Sequence, residues 1–176
     1  MKNVIVTIAC TIAAIIAAGI TNSVSAQKAG VSMIVGNNVQ SLHITSGYPN
    51  NIHIKAMRDF LKRNKTAFDA EWFTIDNGYE VRYTGNNNSH CRTVYNCRGA
   101  FVYTIKQYSE HQMPREVRNI VKSDYYDYTI LMVEEVEQPS VPVAYIIHMQ
   151  DDTTLKNVVV SDGAMETMEE YKRLLP

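Results

Sequence analysis

The chain predicts an α+β fold made of two tandem units, each a helix followed by four antiparallel strands, and three observations carry that prediction. The stretch Met57-Arg58-Asp59-Phe60-Leu61-Lys62-Arg63 returns sixty positions later as Val117-Arg118-Asn119-Ile120-Val121-Lys122-Ser123, with apolar, basic and polar positions in the same order. A second stretch, 92–101, matches 156–165, so the duplicated segment continues well past its helix. Short β-prone runs separated by tight-turn signals fill each unit, the pattern of an antiparallel meander, because parallel neighbours need long crossovers. No catalytic motif is duplicated along with these features, so the repeat reads as a scaffold.

The first element is an export signal. Lys2, an almost uncharged run over 4–20, and Val24-Ser25-Ala26, with small residues where a signal peptidase reads, mark a cleavable segment 1–26 and a mature chain beginning at Gln27. The apolar run is at the lower limit of a bilayer span and is interrupted by Thr7, Thr11 and Gly19, which disfavours a retained membrane helix. Cys10 lies too early for lipid attachment. The expected location is periplasmic or secreted, with no integral span after cleavage. Residues 27–48, rich in Gly, Asn and Ser, read as a leader or linker.

The first unit occupies 49–112. Pro49-Asn50-Asn51 supplies a capping signal, and Ile54, Met57 and Leu61 with Ala56 and Phe60 mark one apolar helix face. Lys55, Arg58, Lys62 and Arg63 take the remainder, and the last two suit the negative end of the helix dipole. Strands are expected at 71–75, 79–84, 92–96 and 100–108, with Asp76-Asn77-Gly78 as the first tight turn, 85–88 as a looser one and 97–99 as a third. Alternation sends Tyr79, Val81 and Tyr83 toward the helix and Glu80 and Arg82 away from it.

The second unit, 113–176, restates this order. Pro114 suits the first turn of a helix that turns Val117, Ile120 and Val121 inward. Strands follow at 128–136, 143–150, 155–160 and 164–171, and Gln138-Pro139-Ser140 lengthens the first hairpin, which raises the repeat offset from 60 to 64. Val143, Tyr145 and Ile147 then correspond to Tyr79, Val81 and Tyr83.

A helix on one face of a four-stranded sheet leaves the other face uncovered, and two such units can join edge to edge into one larger curved sheet. For that face alternation offers Glu80 and Arg82 with Trp72 in the first unit, and Ala144, Ile146 and His148 in the second. Trp72, Arg82 and His148 are therefore the candidate partner-binding residues, since an aromatic and an arginine on an uncovered sheet are typical anchors. A core position for Trp72 beside Phe73 remains the alternative.

Composition and motifs narrow the chemistry. Beyond the signal, the chain has 16 basic and 18 acidic side chains, and the charge is +4 over 27–112 and −6 over 113–176. That balance argues against a nucleic-acid protein, and the basic helix face reads as a solvated one. Cys91 and Cys97 are the cysteines of the mature chain, and a continuous strand between them would hold them far beyond disulfide reach. There is no nucleophile elbow, no Ser-x-x-Lys, no His-Glu-x-x-His and no phosphate loop. His90, Cys91 and Cys97 lack the spacing of a zinc site, and Asp151, Asp152 and Asp162 lack that of a calcium loop. No cofactor, metal or catalytic residue is expected.

The strings Glu71-Trp72-Phe73-Thr74-Ile75-Asp76-Asn77-Gly78-Tyr79-Glu80-Val81, Gly99-Ala100-Phe101-Val102-Tyr103-Thr104-Ile105 and Met113-Pro114-Arg115-Glu116-Val117 resemble the PepSY-like, β-lactamase-inhibitor-like proteins of Bacteroidetes. Lys122-Ser123-Asp124-Tyr125-Tyr126-Asp127-Tyr128 and His148-Met149-Gln150-Asp151-Asp152-Thr153-Thr154 extend the likeness over nearly all of 49–171. The resemblance implies export to the cell envelope and tandem helix-plus-sheet units. Inhibitors of that fold grip an enzyme on a concave sheet and insert a hairpin loop; the corresponding loop here, 85–89, holds no acidic residue and so does not favour β-lactamase inhibition. The expected function is a non-enzymatic envelope module binding a protein, peptide or small ligand. Inhibition of an exported hydrolase is the second reading, and a small enzyme or ligand carrier the third.

Overall fold

A computed structural model describes residues 51–173, so the expected signal 1–26, the leader 27–48 and the capping residues Pro49 and Asn50 lie outside the described residues. Eight strands follow one another in chain order in a single antiparallel sheet. The described chain divides into two compact units, 51–107 with 137–141, and 108–136 with 142–173.

In the first unit, helix α1 spans Ile54–Arg63 and buries Ala56, Met57 and Phe60. His53, not Asn51, caps it: its Nδ1 accepts from the Lys55 amide at 3.1 Å. Asn64 closes the other end, its amide donating to Phe60 O at 2.9 Å. Ile54 and Leu61, expected on the buried face, are instead 51% and 38% exposed. At about 100° per residue, the buried arc through positions 56, 57 and 60 leaves 54 and 61 on its shoulder.

Strands β1 (Phe68–Ile75), β2 (Gly78–Thr84), β3 (His90–Asn96) and β4 (Phe101–Tyr108) follow. Ile75 pairs directly with Gly78, so the first turn holds only Asp76 and Asn77, and Trp72 stands opposite Val81 on the helix side. Phe60 fills the centre of this core, edge-on to Trp72 at 5.5 Å and to Tyr83 at 5.0 Å. Two tyrosine hydroxyls are satisfied inside it. Tyr83 Oη donates to Asn64 Oδ1 at 2.9 Å, and Tyr95 Oη to Asp59 Oδ2 at 3.1 Å. Burial pushes both phenols well above their ordinary range, and the Asp59 carboxylate adds to the effect on Tyr95. Cys91 is buried here, Cys97 is exposed in the next turn, and both are free thiols.

In the second unit, α2 (Arg115–Asp124) starts from Pro114 as its cap and buries Val117 and Val121. Strands β5 (Thr129–Glu137), β6 (Ala144–Gln150), β7 (Thr154–Ser161) and β8 (Ala164–Lys172) carry the inner side chains Ile130, Val133, Ile147, Met149, Val158 and Val160 against it. The helices correspond at an offset of 61, not 60: their bounds, their caps at His53 and Pro114, and their closing residues Asn64 and Tyr125 all differ by that number. Val121 thus occupies the place of Phe60, and Ile120, expected there, is only half-buried. The strands differ in the same sense. β2 and β6 have equal length and burial patterns that agree at six of seven positions at an offset of 66 rather than 64, the exception being Arg82 against His148. A two-residue slip keeps every strand side chain on its face, whereas one residue turns a helix by about 100°.

Candidate binding face

The sheet face turned away from α1 is laid out in rows by the strand register. One row runs Phe73, Glu80, Val94, Tyr103, and the next runs Glu71, Arg82, Arg92, Ile105. Arg82 joins the two. Its Nε donates to Glu80 Oε1 at 2.5 Å, and its guanidinium lies 4.7 Å over the Phe73 ring. The Arg82 side chain is 61% exposed and that of Glu80 only 10%, so a buried carboxylate and an aromatic plane hold an outward-pointing cation. Tyr103 closes the row; burial raises its phenol above the ordinary range, with Glu80 pushing the same way and Arg92 opposing.

The second unit presents the corresponding rows, away from α2: Glu134, Ile146, Val159, Glu166, and Met132, His148, Asn157, Glu169. At the offset of 66, His148 stands where the first unit has Arg82. Asn157 donates through Nδ2 to Glu169 Oε2 at 2.9 Å, which turns its Oδ1 toward His148 Nδ1, also at 2.9 Å, and places the imidazole proton on that nitrogen. His148 Nε2 is buried, makes no hydrogen bond, and lies 3.9 Å from Glu134 Oε1. Each unit therefore sets a nitrogen-bearing side chain near a buried carboxylate at this row, hydrogen-bonded in the first unit and at 3.9 Å in the second. The carboxylate, however, comes from β2 in the first unit and from β5 in the second.

Two expectations for this face are corrected. Trp72 does not share it with Arg82: it is buried on the helix side, stacked on Tyr95 at 5.9 Å, with its Nε1 buried and unbonded. The cause is the two-residue turn, because a register one residue different would have turned Trp72 outward. Ala144 and Ile146, expected as uncovered surface, are buried at inner row positions between flanking strands. Arg82 is where the alternation placed it. Phe73, which supports Arg82, escaped the sequence reading, although its position opposite Glu80 follows from the same turn count.

The loop 85–89 forms a tight turn in which Asn87 and Asn88 take positive φ and Ser89 Oγ donates to Asn86 O at 2.9 Å. Among the described residues, no group of three His, Cys, Asp or Glu is placed to hold a metal, and no helix is long and apolar enough to cross a membrane. The face carries a braced guanidinium, aromatic edges and carboxylates.

No protein-family model matches the chain, and no curated protein does either. Solved structures do. A DUF2874 family protein from Bacteroides ovatus matches with a TM-score of 0.56 at 18% identity, covering 72% of this chain and 89% of its own. A BLIP-like protein from Bacteroides fragilis matches at 0.55 and 13%, with the same coverages of 72% and 89%. A candidate periplasmic protein from Bacteroides eggerthii matches at 0.54 and 15%, covering 72% and 90%. At these identities the chain is similar in fold to DUF2874 and BLIP-like proteins of Bacteroides.

Proposed function

We propose that the protein is a non-enzymatic, exported cell-envelope module that binds a protein or peptide on the sheet face carrying Arg82, with His148 at the corresponding place in the second unit. The observation that carries this reading is the bracing of an exposed Arg82 by buried Glu80 and by Phe73. A guanidinium already ordered before contact loses little entropy on binding, which is the property of an interface anchor. Replacing Arg82 or Phe73 by Ala should weaken capture of partners from envelope extract by more than about 1 kcal/mol each. The melting temperature should hardly change for Arg82→Ala. Equal recovery of the same partners by parent and variants would remove this face from consideration.

The likeness to a BLIP-like structure supports hydrolase inhibition as the second reading. Assay of exported peptidases and β-lactamases with added protein separates the two. Export itself rests on the segment 1–26: N-terminal sequencing of material from the envelope fraction should begin at Gln27. Recovery of chains that retain Lys2 through Ala26 in membranes would overturn it.

A further inference from the structure

We propose that the solvent face of α1 docks on an anionic phospholipid surface. Lys55, Arg58 and Lys62 occupy the centre of that face, all are exposed, and none forms an ion pair with a described carboxylate. Asp59, the acidic residue of the helix, is taken by Arg63 Nε at 2.7 Å and by Tyr95. Ile54 and Leu61 stand one beside each end of this cationic strip, the two large apolar side chains that the helix leaves exposed.

The second unit supplies an internal control. At the helix offset of 61, Lys55, Arg58 and Lys62 become Glu116, Asn119 and Ser123, while Ile54 and Leu61 become Arg115 and Lys122. Every element of the pattern is lost in α2. Packing against the sheet requires none of them, since the twin helix packs without them. A face of one charge sign, with long flexible cations and two apolar shoulders but no aromatic anchor, suits a laterally mobile sheet of phosphate headgroups better than a shaped protein pocket. It lies on the opposite side of the first unit's strands from Arg82, so lipid and partner could be held together.

The test uses the exported protein as isolated and flotation with vesicles. One set contains phosphatidylglycerol and phosphatidylethanolamine, the other phosphatidylcholine alone. The parent should float with the anionic set only and be released by salt. Exchanging Lys55, Arg58 and Lys62 together for Gln should weaken this binding on the order of 100-fold, from roughly fivefold per cation near such a surface. The pair Ile54→Ser and Leu61→Ser should weaken it too, whereas Arg115→Gln with Arg118→Gln in α2 should not.

Equal flotation with both vesicle sets, no flotation of the parent, or an equal loss in the α2 variant would each overturn the proposal. So would self-association in sedimentation that the triple variant abolishes while vesicles go unbound, an outcome that assigns the face to a second copy. Should the triple variant melt early, the headgroup and salt dependence of the parent decides alone. Partner capture through Arg82 enters none of these readings, so each idea can fail without the other.

Discussion

Replacing Phe60 by Ala should destabilise the protein by about 3 to 5 kcal/mol, read as a shift of the urea midpoint at unchanged slope. The ring is fully buried and touches Trp72 and Tyr83 edge-on, and neither neighbour is free to fill the space. Tyr83 is tied by its hydroxyl to Asn64, and Trp72 is stacked on Tyr95, which is tied in turn to Asp59. A cavity that cannot collapse is the costly kind. The same experiment in the second unit checks the helix correspondence. Val121→Ala should cost clearly more than Ile120→Ala, because Val121 is fully buried and Ile120 is not. The reverse order would restore the sixty-residue pairing that the amino-acid pattern suggests.

Gly78→Ala should be comparably severe, above roughly 3 kcal/mol, through strain rather than lost burial. Gly78 has φ +155°, and a Cβ there would lie 2.0 Å from Tyr95 O and 2.8 Å from the Asn96 backbone. These atoms belong to the strand with which Gly78 pairs, so they can yield only by breaking the β2–β3 ladder. Gly163→Ala is the control: at φ +75° with nothing within 4 Å, it carries only the backbone penalty of about 1 kcal/mol. A thermal melt of the two variants should separate them widely. Equal shifts would mean that β3 moves aside easily and that the tight first hairpin is less constrained than its geometry implies.

That hairpin also marks the limit of what the amino-acid pattern discloses. The order of the elements and the inward set Val81 and Tyr83 were legible, since they depend on local turn chemistry and a period of two. The face of Trp72 was not. It depends on whether Gly78 belongs to the turn or to the strand, and a one-residue difference reverses every side chain of β1. The repeat alignment erred for a related reason. Matching chemical types favoured 60 and 64; packing selects 61 for the helices and 66 for β2 with β6, while 64 holds at the third turn, where Gly99 and Gly163 share φ +75°, and nothing local reveals the extra residue in the loop before α2. Ile54 and Leu61 looked like core because apolar residues at helical spacing usually are; only the orientation of Phe60 beneath the sheet shows otherwise. The Arg82 site was half legible: alternation finds its side of the sheet, but not the ring of Phe73 that steadies it.

The crossed placement of the buried carboxylates limits which strands the two units could exchange. Phe73 faces Glu80 across the first hairpin, and Glu134 faces Ile146 across the second. Exchange β1 for β5 within one gene, and one product sets Glu134 beside Glu80, two carboxylates pressed together with little water. The other sets Phe73 beside Ile146 and leaves His148 with no acid within its own hairpin. A swap of single strands inside the hairpins is therefore penalised in both units, while a swap of complete hairpins keeps each carboxylate beside its basic side chain. The two hairpins are thus not interchangeable strand by strand, because each works only with the acid it already holds.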